Sequence, residues 1–249
     1  MRNCGLVSVS FRDKTPKEIV EAVKRCNLTQ IEWGSDIHAP ADDTDKLEQI
    51  VSLCKANCIG ISSYGTYFKI GRDDPAKLET YIRAAEILGT KIIRLWCGTK
   101  GFREYDREAL DGLLAECRDI ASIAKKAGVT VCMECHNHTI TDCAEGAMTL
   151  MSEVGCESFG LYWQPNQYKT PEENLQYAAL AAPYTKIIHV FNWQGSEKRP
   201  LGDAVGIWRR YLDCFSEDIP LLLEFMPDGK IESLKREAAA LAEIVGNPV

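Results

Sequence analysis

Apolar positions along this chain fall into short runs of about five residues, separated by longer stretches in which they recur every three to four residues. The short runs read as β-strands over residues 6–10, 30–33, 60–64, 91–96, 130–134, 160–164, 186–190 and 220–225. The stretches between them read as helices with recognisable starts. Thr15-Pro16-Lys17-Glu18 supplies a cap, a proline for the first turn and a capping-box acid, and Asp74-Pro75 and Thr170-Pro171-Glu172-Glu173 repeat the device. Gly89 and Gly128 each stand just past a helical pattern and just before a strand, the arrangement of an αβ loop.

Eight such βα pairs with no interior linker predict a single α/β domain over residues 1–249. Strict alternation leaves an open doubly wound sheet or a closed barrel. No glycine-rich fingerprint follows the first strand, and the 249 residues match the ~250 of one (β/α)8 TIM barrel. The expected fold is therefore that barrel.

Composition narrows the partners more than the fold. With 45% hydrophobic and 26% charged residues the chain can bury a sizeable core. A net charge of -7 with scattered cations argues against nucleic acid. No apolar span or export signal is visible, so neither a membrane nor secretion is expected and the location is read as cytoplasmic. The eleven cysteines then read as reduced thiols; Cys132 and Cys135, formally C-x-x-C, alternate to opposite faces of a strand. Dinucleotide, nucleotide-triphosphate and serine-hydrolase motifs are all missing.

In such a barrel the chemistry sits where strands run out at the C-terminal face. Strand five ends on Glu134, strand six on Gln164, strand seven near His189 and strand eight near Glu224. Carboxylate, imidazole and amide oxygen are all competent ligands for a divalent metal. Glu224 follows Leu221-Leu222-Leu223, where an unpaired carboxylate is costly to bury and a cation relieves it. His136 shares a strand face with Glu134 and is read as a substrate contact. Arg94 is read as either a substrate contact or an ion-pair partner in the barrel mouth. Glu32 and Arg199 are further candidate contacts, and Trp33 is either a sugar-stacking wall or a core residue.

Taken together, Ile31-Glu32-Trp33-Gly34, Met133-Glu134-Cys135-His136-Asn137-His138, Lys186 to His189, Arg199-Pro200-Leu201-Gly202-Asp203 and Leu223-Glu224 resemble the xylose isomerase-like TIM barrels of the sugar phosphate isomerase/epimerase superfamily. The resemblance runs over essentially the whole chain. It implies Glu134 and Glu224 as metal ligands that double as an acid/base pair, His189 as the imidazole ligand, and Mn, Mg, Co or Zn as the metal. The implied substrate is a small carbohydrate, and the implied reaction moves a proton alpha to a carbonyl through an enediolate, as a sugar isomerase or epimerase does. A dehydratase or lyase on a keto-inositol or keto-sugar, and a non-catalytic sugar-binding barrel, are the alternatives. A homodimer that closes the site is a further expectation.

The chain departs from the family pattern at strand six, where Gln164 and Gln167 replace the usual Asp and the His three residues later. The first change removes one negative charge from the expected ligand set, which predicts weaker metal affinity and stronger Lewis acidity.

Overall fold

The computed structural model describes residues 2–246; Met1 and residues 247–249 of the expected 1–249 domain lie outside the described residues. Eight parallel strands close into a barrel: β1 (Cys4–Val7), β2 (Gln30–Gly34), β3 (Gly60–Ile70), β4 (Ile92–Cys97), β5 (Thr130–Glu134), β6 (Phe159–Trp163), β7 (Thr185–Val190) and β8 (Leu221–Leu223). Each strand pairs with its sequence neighbour, and β1 closes the ring by pairing Gly5 with both Leu222 of β8 and Gln30 of β2. The helices α1 (Pro16–Arg25), α2 (Thr44–Ala56), α3 (Leu78–Leu88), α4 (Arg107–Ala127), α5 (Ala144–Val154), α6 (Pro171–Ala181), α7 (Val205–Leu212) and α8 (Leu234–Ile244) form the outer layer.

Side chains alternate across each strand, so one residue in two faces the helices and the next faces the barrel axis. Ile31, Trp33, Leu95, Met133, Trp163 and Val190 belong to the large outer core against the helices. Val7, Val9, Cys132, Tyr162, Ile187 and Leu222 form a separate, smaller cluster inside the barrel. Each large apolar side chain buried in this way contributes about 1.5–3 kcal/mol. Above the inner cluster the same alternation places polar residues: Glu32, Arg94, Glu134, Gln164, His189 and Glu224 are all nearly fully buried. The barrel thus has an apolar floor under a polar layer that opens at the C-terminal face.

The predicted caps form: Thr15 and Thr170 each accept a hydrogen bond from the backbone of the glutamate three residues on, whose carboxylate accepts one from the cap backbone N–H. Gly89 and Gly128 end their helices at φ of 73° and 70°, a conformation glycine adopts without the penalty of a Cβ. Several bounds differ from the sequence reading, most by one or two residues, with β8 ending at Leu223 instead of residue 225. β1 stops at Val7 because Ser8–Phe11 turns into a 3-10 helix, which lets the Ser8 hydroxyl accept from the Gly34 backbone at 2.9 Å. β3 runs on to Ile70, and a short hairpin (Trp193–Gln194 with Glu197–Lys198) rises between β7 and α7.

Candidate metal centre

The alternation that fills the barrel brings Glu134, His189 and Glu224 together at the ends of β5, β7 and β8. One ligand atom from each lies within 4.8 Å of the others. His189 Nδ1 stands 3.7 Å from Glu134 Oε1 and 3.6 Å from Glu224 Oε2, while Nε2 on its far side stands 3.6 Å from Glu32 Oε2. Glu32 is in turn fixed by the Ser63 hydroxyl, which donates to Oε2 at 3.0 Å, and by Arg94 Nε at 3.4 Å from Oε1. Glycine at position 65 makes this packing feasible, since a Cβ there would collide with the Glu32 carboxylate.

Glu134 and Glu224 have different surroundings. Glu134 Oε2 accepts from Arg94 Nη1 and from the Trp96 indole, both at 2.5 Å. Among the described residues no side-chain or backbone donor hydrogen-bonds the Glu224 carboxylate. Burial disfavours the charged form of Glu134, but the Arg94 guanidinium and the His189 ring outweigh it and hold the carboxyl well below the usual carboxylate range. Burial raises Glu224, and repulsion from Glu134 adds to it, so this carboxyl stays above its ordinary value despite the attraction of His189. Burial pulls His189 down, but the carboxylates of Glu224, Glu134 and Glu32 more than offset it and the ring is pushed up to about 10.

The donor set fits a divalent cation. His189 Nδ1 and Gln164 Oε1 are buried without a hydrogen-bond partner, although buried polar atoms are nearly always paired. With His189 neutral, the carboxylates of Glu32, Glu134 and Glu224 outnumber the one guanidinium, Arg94, by two charges, which is the charge of the ion. Glu32 faces His189 Nε2 at 3.6 Å, longer than a hydrogen bond, on the side from which an outer carboxylate would orient a metal-bound imidazole.

The model of the xylose isomerase-like TIM barrel family matches residues 20–221. The chain belongs to that family. Among curated proteins no sequence relative matches. Solved structures share the family's barrel at low identity. The probable 3-DHS dehydratase AsbF of Bacillus anthracis is 17% identical with a TM-score of 0.82, covering 97% of this chain and 99% of that one. A xylose isomerase-like TIM barrel protein of Mycobacterium smegmatis in complex with magnesium is 13% identical with a TM-score of 0.73, covering 98% and 97%. The D-psicose 3-epimerase of Clostridium cellulolyticum, solved with D-tagatose, is 13% identical with a TM-score of 0.71 and full coverage of both chains.

A cavity of about 190 Å³ opens above the centre in this family member, lined by Glu134, His136, Gln164 and Glu224 among others. It is smaller than the ~300 Å³ at which drug-sized sites begin, and suits a compact substrate. His136 is where the sequence placed it, stacked on Trp96 with ring centres 4.7 Å apart. Arg94 also borders the cavity, but as the ion-pair partner of Glu134 and Glu32.

Three expected substrate contacts need correction. Trp33 is fully buried in the outer core, because it follows inward-facing Glu32 by one residue and therefore points to the helices. Glu32 is fully buried and does not border the cavity; it reaches the site through His189. Arg199 lies outside the cavity, and its guanidinium pairs with Glu197 at 2.6 Å on the surface. The sequence reading also passed over Trp96, Tyr67, Trp193, Phe225 and Arg12, all of which line the cavity. Trp96 had a signal, since it shares the inner face with Arg94 two residues before; the others stand on irregular segments or strand extensions where no period applies.

Proposed function

We propose that this protein is a divalent-metal-dependent enzyme that moves a proton alpha to the carbonyl of a small polyhydroxylated substrate, a reaction of the sugar isomerase type. The observation that carries the reading is the convergence of Glu134, His189 and Glu224 within 4.8 Å, with Gln164 lining the same cavity as Glu134 and Glu224. When bound there, Mn, Mg, Co or Zn supplies a Lewis acid that polarises the substrate carbonyl and lowers the pKa of the neighbouring C–H.

The protein's own groups divide the remaining work. Arg94 and Trp96 occupy Oε2 of Glu134, and its Oε1 faces His189 and the centre, so Glu134 acts as a fixed anionic ligand. Glu224 has a carboxylate without donors and a proton affinity raised by burial, so it is the group suited to take the α-proton and return it. His136, stacked on Trp96, and Gln167 are positioned to orient hydroxyls. A single base serves a 1,2-transfer on one face of the substrate. Inversion by a base on each face, the role the sequence gave Glu134 and Glu224 jointly, would leave only Oε1 of Glu134 for the second base, since Arg94 and Trp96 occupy Oε2.

A second reading, a dehydratase on a keto-inositol or keto-sugar, uses the same proton abstraction followed by loss of a β-hydroxyl. The carboxylate of Glu224, without donors, favours it equally, and the similarity to the probable 3-DHS dehydratase at a TM-score of 0.82 agrees with it at the level of the fold.

The test is proton exchange in D₂O with the Mg(II)-loaded protein and a panel of keto-sugars and keto-inositols, followed by ¹H NMR. Metal-dependent loss of an α-proton signal, reduced about 10²-fold or more by Glu224→Gln, is the expected result. An alkene product marks the dehydratase and a new ketose or aldose marks the isomerase. Absence of exchange across the panel, or exchange indifferent to Glu224→Gln, contradicts the proposal.

A further inference from the structure

Two segments meet behind the cavity, the turn from Ser8 to Lys14 that joins β1 to α1 and the stretch from Gly34 to His38 after β2. The Gly34 N–H donates to Ser8 Oγ at 2.9 Å, and Arg12 Nε donates to Asp36 at 2.8 Å. His38 bridges both ends of the turn, with Nδ1 3.1 Å from Ser8 Oγ and Nε2 3.1 Å from the Lys14 carbonyl oxygen. The fit is close enough that a Cβ on Gly34 would collide with Val9. This turn is part of the cavity wall. Val9 and Arg12 line the cavity, and Ser10 Oγ accepts at 2.9 Å from the N–H of Phe225, a further lining residue whose φ of 52° is rare outside glycine. His38 itself is almost fully buried and does not border the cavity.

The partners of His38 assign its protons. A carbonyl oxygen only accepts, so Nε2 carries a proton and donates to Lys14. In the neutral ring Nδ1 then accepts from the Ser8 hydroxyl, whose oxygen accepts in turn from Gly34. Every polar atom in this chain is satisfied. A second proton, on Nδ1, turns two donors toward each other, and among the described residues the Ser8 hydroxyl hydrogen-bonds no other acceptor. Burial opposes the charge most strongly and holds the ring below its ordinary value, and Lys46 of α2 pushes the same way. The carbonyls of Lys14 and Phe11 and the carboxylate of Asp36 pull against this without restoring it. Trp33, packed on His38 with ring centres 5.9 Å apart, carries no charge, and the Lys14 ammonium turns to Asp13 at 2.5 Å.

We infer that His38 is a positioning residue for the β1 side of the cavity: in its neutral form, with the proton on Nε2, it latches the Ser8–Lys14 turn, and acid releases the latch. The charged ring is stable only where water reaches it, so protonation favours an opened turn in which Ser8 leaves Gly34 and Ser10 leaves Phe225. The released ring titrates near about 6.5 and the latched ring lower. The latch therefore has its full strength above about pH 6.5 and loses it as pH falls, by about tenfold in the opening equilibrium per pH unit until the latched ring itself protonates. The consequence for substrate rests on the reading of this cavity as the substrate site; the latch does not.

The test is amide hydrogen exchange by NMR on the full chain in Mg(II)-containing buffer, from about pH 7.5 to about pH 5. Protection of the Gly34 and Phe225 amides, corrected for the intrinsic pH dependence of exchange, should fall about tenfold over the lower part of this range. The Ile140 amide, which donates to the Cys97 carbonyl across the barrel from β1, should keep its protection and reports that the fold is intact. His38→Gln, which has no proton to gain in this range, should abolish the pH dependence at both amides, whatever protection it sets. A long-range ¹H–¹⁵N spectrum at about pH 7.5 should show the imidazole proton on Nε2 alone. A flat profile at Gly34 and Phe225, a fall shared equally by Ile140, a fall that persists in His38→Gln, or a proton on Nδ1 at about pH 7.5 overturns the inference. None of these readouts involves turnover or metal retention, so their failure leaves the proposed reaction standing, and absence of α-proton exchange leaves the latch standing.

Discussion

At the scale of the residue, the centre is a balance between three carboxylates and few cations. Arg94 pairs with Glu134 and Glu32 at once in a nearly dry environment, so Arg94→Leu takes the guanidinium from two buried carboxylates. We expect a loss of about 3–5 kcal/mol in urea unfolding of the metal-free protein, because removing one partner of a buried pair exposes the desolvation penalty of the other. Glu32→Gln keeps the volume but weakens the hold on His189 Nε2, and a 10–100-fold loss of metal affinity with little change in fold is the expected titration result. The His189 proton gives a pH dependence of definite sign. Its folded pKa of about 10 lies above the unfolded value near 6.5, so the metal-free protein has the full stabilisation below about pH 6.5 and loses it as pH rises toward 10. A metal on Nδ1 must displace that proton. Calorimetry in buffers of different ionisation enthalpy should find about one proton released per ion, and apparent affinity should rise with pH across this window. Glu134, His189 and Glu224 were legible in the sequence because each is a polar residue at or near the end of an otherwise apolar run. Glu32 and Trp33 were not separable there: adjacent residues face opposite sides of a strand, and only the register of β2 tells which one turns inward.

At the scale of the element, the helices and most strands follow from periodicity and capping. β5 spans Thr130–Glu134 as the sequence indicated, and the Thr15 and Thr170 caps form with their glutamates. Replacing Thr170 by Ala removes the acceptor for the Glu173 N–H and should cost about 1 kcal/mol of unfolding free energy, readable by chemical denaturation, without altering the cavity. The strand ends were less legible because side-chain hydrogen bonds from distant residues set them. Ser8 leaves β1 to receive the Gly34 N–H, and Ser10 receives that of Phe225, so the short 3-10 helix between them ties β1 to both β2 and β8 at the mouth. These contacts span from 26 to 215 residues of sequence and leave no local pattern.

At the scale of the whole molecule, barrel closure is what makes a site of these parts. Eight βα pairs announced the barrel, and its closure brings the ends of β5, β7 and β8 onto one centre. The same closure sets the charge of the centre. On the proposed reading Gln164, in place of the carboxylate the family resemblance implies, would leave a bound divalent ion neutralised instead of over-compensated. Gln164→Asp should therefore raise metal occupancy of the purified protein, and equal or lower occupancy runs against this reading.

Metal stoichiometry is the most direct measurement of the proposed centre. Protein equilibrated with Mn(II), freed of excess ion and analysed by inductively coupled plasma mass spectrometry should retain about one ion per chain, with affinity at least about tenfold weaker in His189→Gln and in Glu224→Gln. Retention far below one ion per chain, or a double variant that binds as tightly as the unaltered protein, contradicts the central claim.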